Sequence, residues 1–393
     1  MSHILKGMDE DLFRMSVGQG MHPTGSHAST FQRIASPNFE LLNLMKESMG
    51  QKASLPQDCV YALLGVARDI DALAFPVDYT RTFRDLFGYV TKHSVSKYHD
   101  LTVLALVSIL PPENTPKEGP RSLPSWIPDY RFKIGINNRR LARGPNVVKH
   151  GRDRQYNSTG SSRACAVVDS SPKFAVNGIL VGKVEVLSNP DDNLEEGVSI
   201  GQNVLSGGQW SKLAALCATE CHYVPTSEPI NRAFARLRAA EYLPNDKTCA
   251  DRAARAPTID IPEPRPRPLL RTPNGELLLE AAKDDRMTSC VIAATTRQRF
   301  FITNTGYMGL CHRSCVIGDE VWLLMGGDMP FILRQLDTEP TTYHFKGESY
   351  VHGIMDGELL LQRFKGDSAK SDKEWLDDLK EGLPFEMDQL TLS

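Results

Sequence analysis

Gly318-Asp319-Glu320-Val321-Trp322-Leu323-Leu324-Met325-Gly326-Gly327 is the stretch that decides what kind of fold this chain builds. Its apolar run is short, rich in bulky side chains and bounded by turn residues, the signature of a buried strand. Gly318-Asp319 forms the turn that launches the strand. Gly326-Gly327 supplies the backbone freedom for a tight reversal before Pro330. The same pattern repeats outward in both directions. Strands are predicted at Arg299–Thr303, Glu320–Leu324, Phe331–Gln335, Tyr343–Phe345 and Ser349–Ile354, separated by Gly306, Gly309, Gly347 and Asp356-Gly357. Strands this short, punctuated this regularly, predict a small antiparallel β-barrel or curled sheet over residues 296–361.

Upstream the period changes from two to between three and four. Ser36-Pro37 has the form of a helix start, with a capping hydroxyl followed by proline at the first helical position. Phe39, Leu42, Met45 and Met49 then give one apolar face. Further helices are predicted over Asp58–Leu64, stopped by Gly65, over Thr80–Val90, with Phe83, Leu86, Phe87 and Val90 on a stripe, and after Asp100 as cap. Leu123-Pro124-Ser125-Trp126-Ile127-Pro128-Asp129-Tyr130 cannot be helical, because each proline forces its predecessor into extended geometry. Asn177-Gly178, between Phe174/Val176 and Ile179/Val181, predicts a tight hairpin. Trp210–Tyr223 and Ile230–Tyr242 read as helices. Pro262, Pro264, Pro266 and Pro268 mark an extended excursion, and Ser371 with Glu374 has capping-box spacing.

The expected class is therefore α+β. It comprises a loose leader (1–35), a helical unit (36–130), a basic linker (131–170) and a mixed region with a proline-rich excursion (171–295). The small barrel (296–361) and an acidic tail with a short helix (362–393) complete it. With 41% hydrophobic and 24% charged residues and a formal charge of −3, nothing in the composition pulls the 393-residue chain toward nucleic acid or an anionic membrane. The longest nearly uninterrupted apolar run, Leu101–Leu110, is half the length of a membrane span and reads as a buried helix. The first twenty residues carry no signal-peptide pattern. Eight scattered cysteines read as reduced thiols of a cytoplasmic protein.

Catalytic motifs are absent. There is no phosphate-binding loop, nucleophile elbow or zinc helix, and Gly18-Gln19-Gly20 fails as a dinucleotide fingerprint because Pro23 stands where the third glycine belongs. Cys217, Cys221 and His222 would share a helical face, and Cys311, His312 and Cys315 form a second cluster in a predicted turn. Neither supplies the four ligands of a structural zinc site, so both read as small buried thiols beside surface histidines. His352, Asp356 and Glu358 are the one arrangement of acid–base residues, but around an Asp-Gly turn the aspartate supports its own backbone. The basic stretch Arg131, Lys133, Arg139, Arg140, Arg143, Lys149, Arg152 and Arg154 has few interleaved aromatics and reads as a solvated loop, without a nucleic-acid partner. No cofactor is expected.

One set of strings carries a family likeness. Asp58-Cys59-Val60-Tyr61-Ala62-Leu63-Leu64-Gly65-Val66-Ala67 is followed by Pro76-Val77-Asp78-Tyr79 and Leu123-Pro124-Ser125-Trp126-Ile127-Pro128-Asp129. Far downstream come Thr305-Gly306-Tyr307-Met308-Gly309, Gly318–Trp322, Pro330–Arg334 and Gly347–Glu358. In this order they resemble the C-terminal portion of fungal heterokaryon-incompatibility (HET) domain proteins, over about residues 36–360. The resemblance picks out Asp58, Tyr61, Gly65, Trp126, Gly306, Gly318, Asp319, Trp322, Arg334, Gly353 and Gly357 as signature residues of structural type. The HET domain proper, an α/β unit with Tyr-x-x-Leu-Ser-Tyr-x-Trp-Gly and Trp-Ile-Asp-x-x-Cys-Ile-Asn-Gln elements, has no counterpart in this sequence. Gln57 and Cys59 also replace the basic residues usual beside that aspartate. The resemblance implies a non-catalytic interaction or regulatory module in non-self recognition and incompatibility-type cell death, acting on a protein partner such as a HET-domain chain. The alternative is an enzyme or accessory protein of a fungal metabolic pathway with its site around His352, Asp356 and Glu358.

Overall fold

The computed structural model describes residues 40–49, 51, 53–70, 76–107, 123–131, 156–166, 168–169, 171–189, 208–240, 294–295, 298–338, 340–379 and 387–393. The expected leader, most of the basic linker and the proline-rich excursion lie outside these residues, as do Ser36 and Pro37.

Helix α1 (Leu41–Ser48) buries Leu42 and Met45 on its predicted face, with Met49 just beyond it. Helix α2 is a single turn (Asp58–Tyr61), because the chain passes into successive turns before Gly65. Helix α3 (Phe83–Tyr98) is longer than its apolar stripe predicts. Thr82 Oγ1 accepts the Asp85 amide at its start, and His99 closes it in the left-handed region at φ 57°. Asp100 then accepts the Thr102 amide at 3.1 Å and launches a 3-10 turn, Thr102–Leu106. Among the described residues no helix is long and apolar enough to cross a membrane.

The Asn177-Gly178 hairpin does not form. Residues Phe174–Leu187 make one continuous strand, β1, which pairs with three partners in succession. Phe174–Gly178 faces the last strand, β11 (Asp388–Leu392). Gly178–Lys183 faces β7 (Glu320–Leu324), and Val184–Leu187 faces β5 (Gln298–Thr303). Gly178 stays extended because β7 runs close by: a Cβ there would lie 2.9 Å from Leu324 Cδ2 and 3.0 Å from the Leu323 carbonyl oxygen. Three ladders of cross-strand bonds outweigh a local turn preference.

From β7 the chain runs antiparallel into β8 (Phe331–Leu336) and β9 (Thr342–Glu348). Strand β9 meets β11 in parallel at Leu392–Tyr343. Since β11 and β7 both pair with β1, these five strands close a ring. Strands β5, β6 (Met308–His312) and β10 (Tyr350–Val351) extend the sheet from the far end of β1. The result is a mixed eight-stranded sheet with a ring in it, where a small antiparallel barrel or curled sheet was expected: it curls into a ring, is larger than expected and includes the parallel β9–β11 pairing. It also takes in residues 174–187 and 388–392, from outside the predicted barrel segment.

Strand β6 falls where a turn was expected. Gly309 sits mid-strand, because a Cβ there would lie 2.4 Å from both Phe301 Cζ and the Tyr350 carbonyl. One face of the ring, including Phe174, Trp322, Leu324, Phe331, Leu333, Phe345 and Leu390, shares a core with α1, α3 and Trp126. Ser125 joins the two parts: its amide donates to Ser393 O at 3.0 Å, and its hydroxyl accepts the Phe345 amide at 2.9 Å.

The region read as helix over Trp210–Tyr223 is helical only at its start, as α4 (Gly208–Ala214) and a 3-10 turn to Cys217. Glu220 and Cys221 at φ 50° and 65° then break the helical course. Three short strands follow, β2 (Ala218–Thr219), β3 (His222–Tyr223) and β4 (Glu228–Pro229), leading into α5 (Ile230–Arg238). Downstream, α6 (Glu358–Leu360) continues as a π-helical turn to Lys365. Helix α7 (Asp372–Asp378) carries the predicted capping box of Ser371 and Glu374.

Candidate functional site

A buried polar cluster forms where the β3–β4 hairpin meets the turn after β10. Strand β10 ends in Val351, and His352 follows with 1% of its surface exposed. Its Nε2 lies 2.7 Å from Glu228 Oε1, and its Nδ1 lies 3.0 Å from the Tyr350 hydroxyl. Glu228 is held from two further sides, by Thr226 Oγ1 at 2.8 Å and Arg236 Nη1 at 3.1 Å. Burial alone would push the Glu228 carboxyl up, but the His352 hydrogen bond and charge and the Arg236 guanidinium reverse this and hold it at about 2. The carboxylate is therefore ionised across the physiological range. Both contacts are met when Nε2–H of His352 donates to Glu228 and Nδ1 accepts from the Tyr350 hydroxyl.

Backbone contacts complete the junction. Tyr223 Oη donates to His352 O at 3.2 Å and accepts the Met308 amide at 3.0 Å. Gly353 sits at φ +91°, and a Cβ there would lie 2.6 Å from Thr226 Cγ2. Hairpin and turn are in direct contact across 124 residues of sequence.

The arrangement contains an oriented histidine and carboxylate, the base half of a nucleophilic site. Its recorded hydroxyl neighbours, Tyr350 and Thr226, donate to the pair, and the imidazole is buried. The chemistry this geometry suits is a fixed, charge-assisted clasp. Asp356 and Glu358 are used differently from the predicted trio: Glu358 Oε2 accepts the Asp356 amide at 2.7 Å, stabilising the turn that enters α6. The carboxylate that reaches His352 is Glu228. A Glu followed by Pro at a strand end carries no signal linking it to a histidine so far away.

The cysteine clusters separate by element. Cys217 is buried in the 3-10 turn, Cys221 is exposed in a β-turn, and His222 lies in β3 with its Nδ1 2.9 Å from Glu220 O. The shared helical face expected of them does not exist, because the helix ends first. Cys311 in β6 and Cys315 in the next turn are both buried and their thiols are hydrogen-bonded; burial pushes the Cys311 thiol well up. His312 contacts Ser314 Oγ at 2.9 Å. Among the described residues no group of three or more His, Cys, Asp or Glu side chains is placed to hold a metal ion.

The signature residues are placed as follows. Asp319, 1% exposed, receives Arg334 Nε at 2.7 Å and Nη2 at 3.0 Å, and also caps the Val316 amide at 2.8 Å. Glu320 Oε2 accepts Trp322 Nε1 at 2.9 Å. Trp126 is buried with its Nε1 donating to Pro172 O at 3.1 Å. Tyr61 donates to Asp78 O, and Asp58 accepts the Tyr79 hydroxyl, both at 2.8 Å. Gly306, Gly318, Gly353 and Gly357 all have φ between +85° and +92°. Gly65 has open space around its Cα.

Comparison with known proteins found one family and one relative. Residues 278–368, which include β5–β10 and the Asp319–Arg334 pair, match the Het-6 beta-barrel domain family. The chain is also 24% identical over 357 residues to the Neurospora crassa protein "Heterokaryon incompatibility protein 6, OR allele". Both matches support a HET-type protein. That match covers 77% of this chain and 48% of the relative, so the chain spans about half the length of the curated relative. No solved structure matches it.

Proposed function

We propose that this chain is a non-catalytic interaction and regulatory module of a fungal incompatibility response, working in the cytoplasm on a protein partner that carries a HET domain. Non-self recognition and incompatibility-type cell death are the context we infer; the name of the Neurospora relative supports incompatibility. The observation that carries the reading is the distribution of polar and apolar side chains. Among the described residues, the cluster that joins His352 to Glu228 is closed in the interior. By contrast, Leu55, Val66, Val77 and Tyr79 are exposed around α2, the last three within the signature strings of the family likeness. Tyr79 is held in place by Asp58 and by an edge-on contact with Tyr61 at 5.2 Å. Ordered aromatic and aliphatic side chains left in water are the usual anchors of a protein interface.

The test is an incompatibility assay in a filamentous fungus expressing this chain together with a HET-domain protein. Val77→Asp and Tyr79→Asp are expected to abolish the response, and Glu228→Gln to leave it intact at permissive temperature. A response lost with Glu228→Gln at normal protein levels, and kept with the two surface variants, would contradict the proposal. The enzymatic alternative draws its support from the His352–Glu228 pair. It predicts a defined product that His352→Asn abolishes in a folded chain.

A further inference from the structure

A group of cations lies on neighbouring strands of the ring, away from the clasp. Arg334 on β8 and His344 on β9 stand directly opposite each other in register, and Lys346 follows two residues along β9. Arg334 is tied to Asp319 through Nε and Nη2, and the same Nη2 donates to Ser314 O at 3.2 Å, so its Nη1 edge has no recorded partner. His344 uses Nδ1 toward Phe345 O at 3.1 Å, which leaves Nε2. Lys346 is half-buried, and among the described residues its ammonium has no carboxylate or carbonyl partner.

This is an unusual arrangement for a bare surface. Burial, and then the nearby Arg334, hold the Lys346 ammonium below its ordinary value. Burial, and then Lys346, lower His344. The carboxylate that answers these cations, Asp319, is already engaged by Arg334 and by the Val316 amide. A half-buried ammonium beside a guanidinium, short of anionic partners, costs stability unless a ligand supplies the missing charge.

We propose that Lys346, Arg334 and His344 form an anion-binding site for a phosphate dianion, free or as a monoester. Arg334 has spent its two-pronged face on Asp319, so a planar carboxylate finds no matching fork. A tetrahedral oxyanion takes single contacts from different directions, as the lysine ammonium and the Arg334 Nη1–H edge provide; His344, whose Nδ1–H is given to the Phe345 carbonyl, joins as a donor once the bound anion draws a proton onto its Nε2. The site is on the opposite side of the strands from the core shared with α1 and α3, since Tyr343 and Phe345 of β9 face that core. It is independent of the proposed interface around α2.

The experiment is a calorimetric titration of the full chain with inorganic phosphate and with phenyl phosphate at constant ionic strength, with acetate as the planar comparison. Saturable binding is expected for both phosphates and much weaker binding for acetate. The ratio of the two phosphates tells whether the free or the esterified form is preferred. Lys346→Met keeps the length and apolar stem while removing the charge. It is expected to weaken phosphate binding at least tenfold and to raise the melting temperature without ligand. Phosphate heats that match those of acetate, or that are unchanged in Lys346→Met, would overturn the site. Such a result, together with a raised melting temperature, would show a buried cation only.

Discussion

Glu348 at the end of β9 offers the sharpest quantitative test of the packing described above. It stands opposite Phe331 in the β8–β9 ladder and is buried, with no recorded side-chain partner among the described residues. Desolvation pushes its carboxyl from 4.5 up to about 7. The folded protein therefore keeps this proton up to about pH 7, while the unfolded chain releases it near 4.5. Between those values the native state binds more protons than the unfolded state, so this group's contribution makes stability fall as pH rises. At about 1.36 kcal/mol per pH unit, the full effect above pH 7 is on the order of 3 kcal/mol. Glu348→Gln removes the ionisation while keeping the shape. Urea unfolding of both proteins at pH 5 and pH 8 should give a small difference at pH 5 and a gain of about 2–3 kcal/mol for the variant at pH 8. An equal difference at the two pH values would refute the argument, since it would mean that Glu348 is solvated or paired in the fold.

Three further outcomes follow from other contacts. Asp319→Asn leaves the one-third-exposed Arg334 without its bidentate partner and weakens the turn before β7; a loss of about 1–3 kcal/mol is expected in urea unfolding. Glu228 works in the opposite direction to Glu348. Its folded value of about 2 lies below the ordinary 4.5, so its contribution is present above pH 4.5 and lost as pH falls toward 2. Glu228→Gln should flatten that acid limb and speed hydrogen exchange at the Met308 amide, which Tyr223 holds from the hairpin side. Gly309→Ala would drive a methyl into Phe301 and the Tyr350 carbonyl, and a melting-temperature drop larger than that of Gly65→Ala, where space is open, is expected.

Much of the strand architecture was legible because β7 and β8 are apolar runs between glycine turns, a pattern that survives without tertiary context. The capping box at Ser371 was legible for the same reason: its partners are three residues apart. Asn177-Gly178 was not, because its conformation is set by β11 and β7, which begin more than a hundred residues downstream. Strand β6 was obscured by Gly309, whose role is to let Phe301 and Tyr350 approach, and a sequence shows such a glycine only as a breaker. Helical spacing suggested a shared face for Cys217 and Cys221, yet left-handed backbone at Glu220 and Cys221 turns the chain into a hairpin. That hairpin is what delivers Glu228 to His352. Half of the clasp was visible as a histidine near an Asp-Gly turn, and its carboxylate was hidden by a separation of 124 positions in the sequence.

Binding to a separately purified HET domain is the most direct test of the central claim, that the exposed side chains around α2 engage a partner while the buried polar cluster serves the scaffold. Calorimetric titration should show a saturable interaction that Tyr79→Asp removes and Glu228→Gln preserves. Absence of binding by the unmodified chain, or binding that survives Tyr79→Asp and disappears with Glu228→Gln in a folded protein, would contradict it.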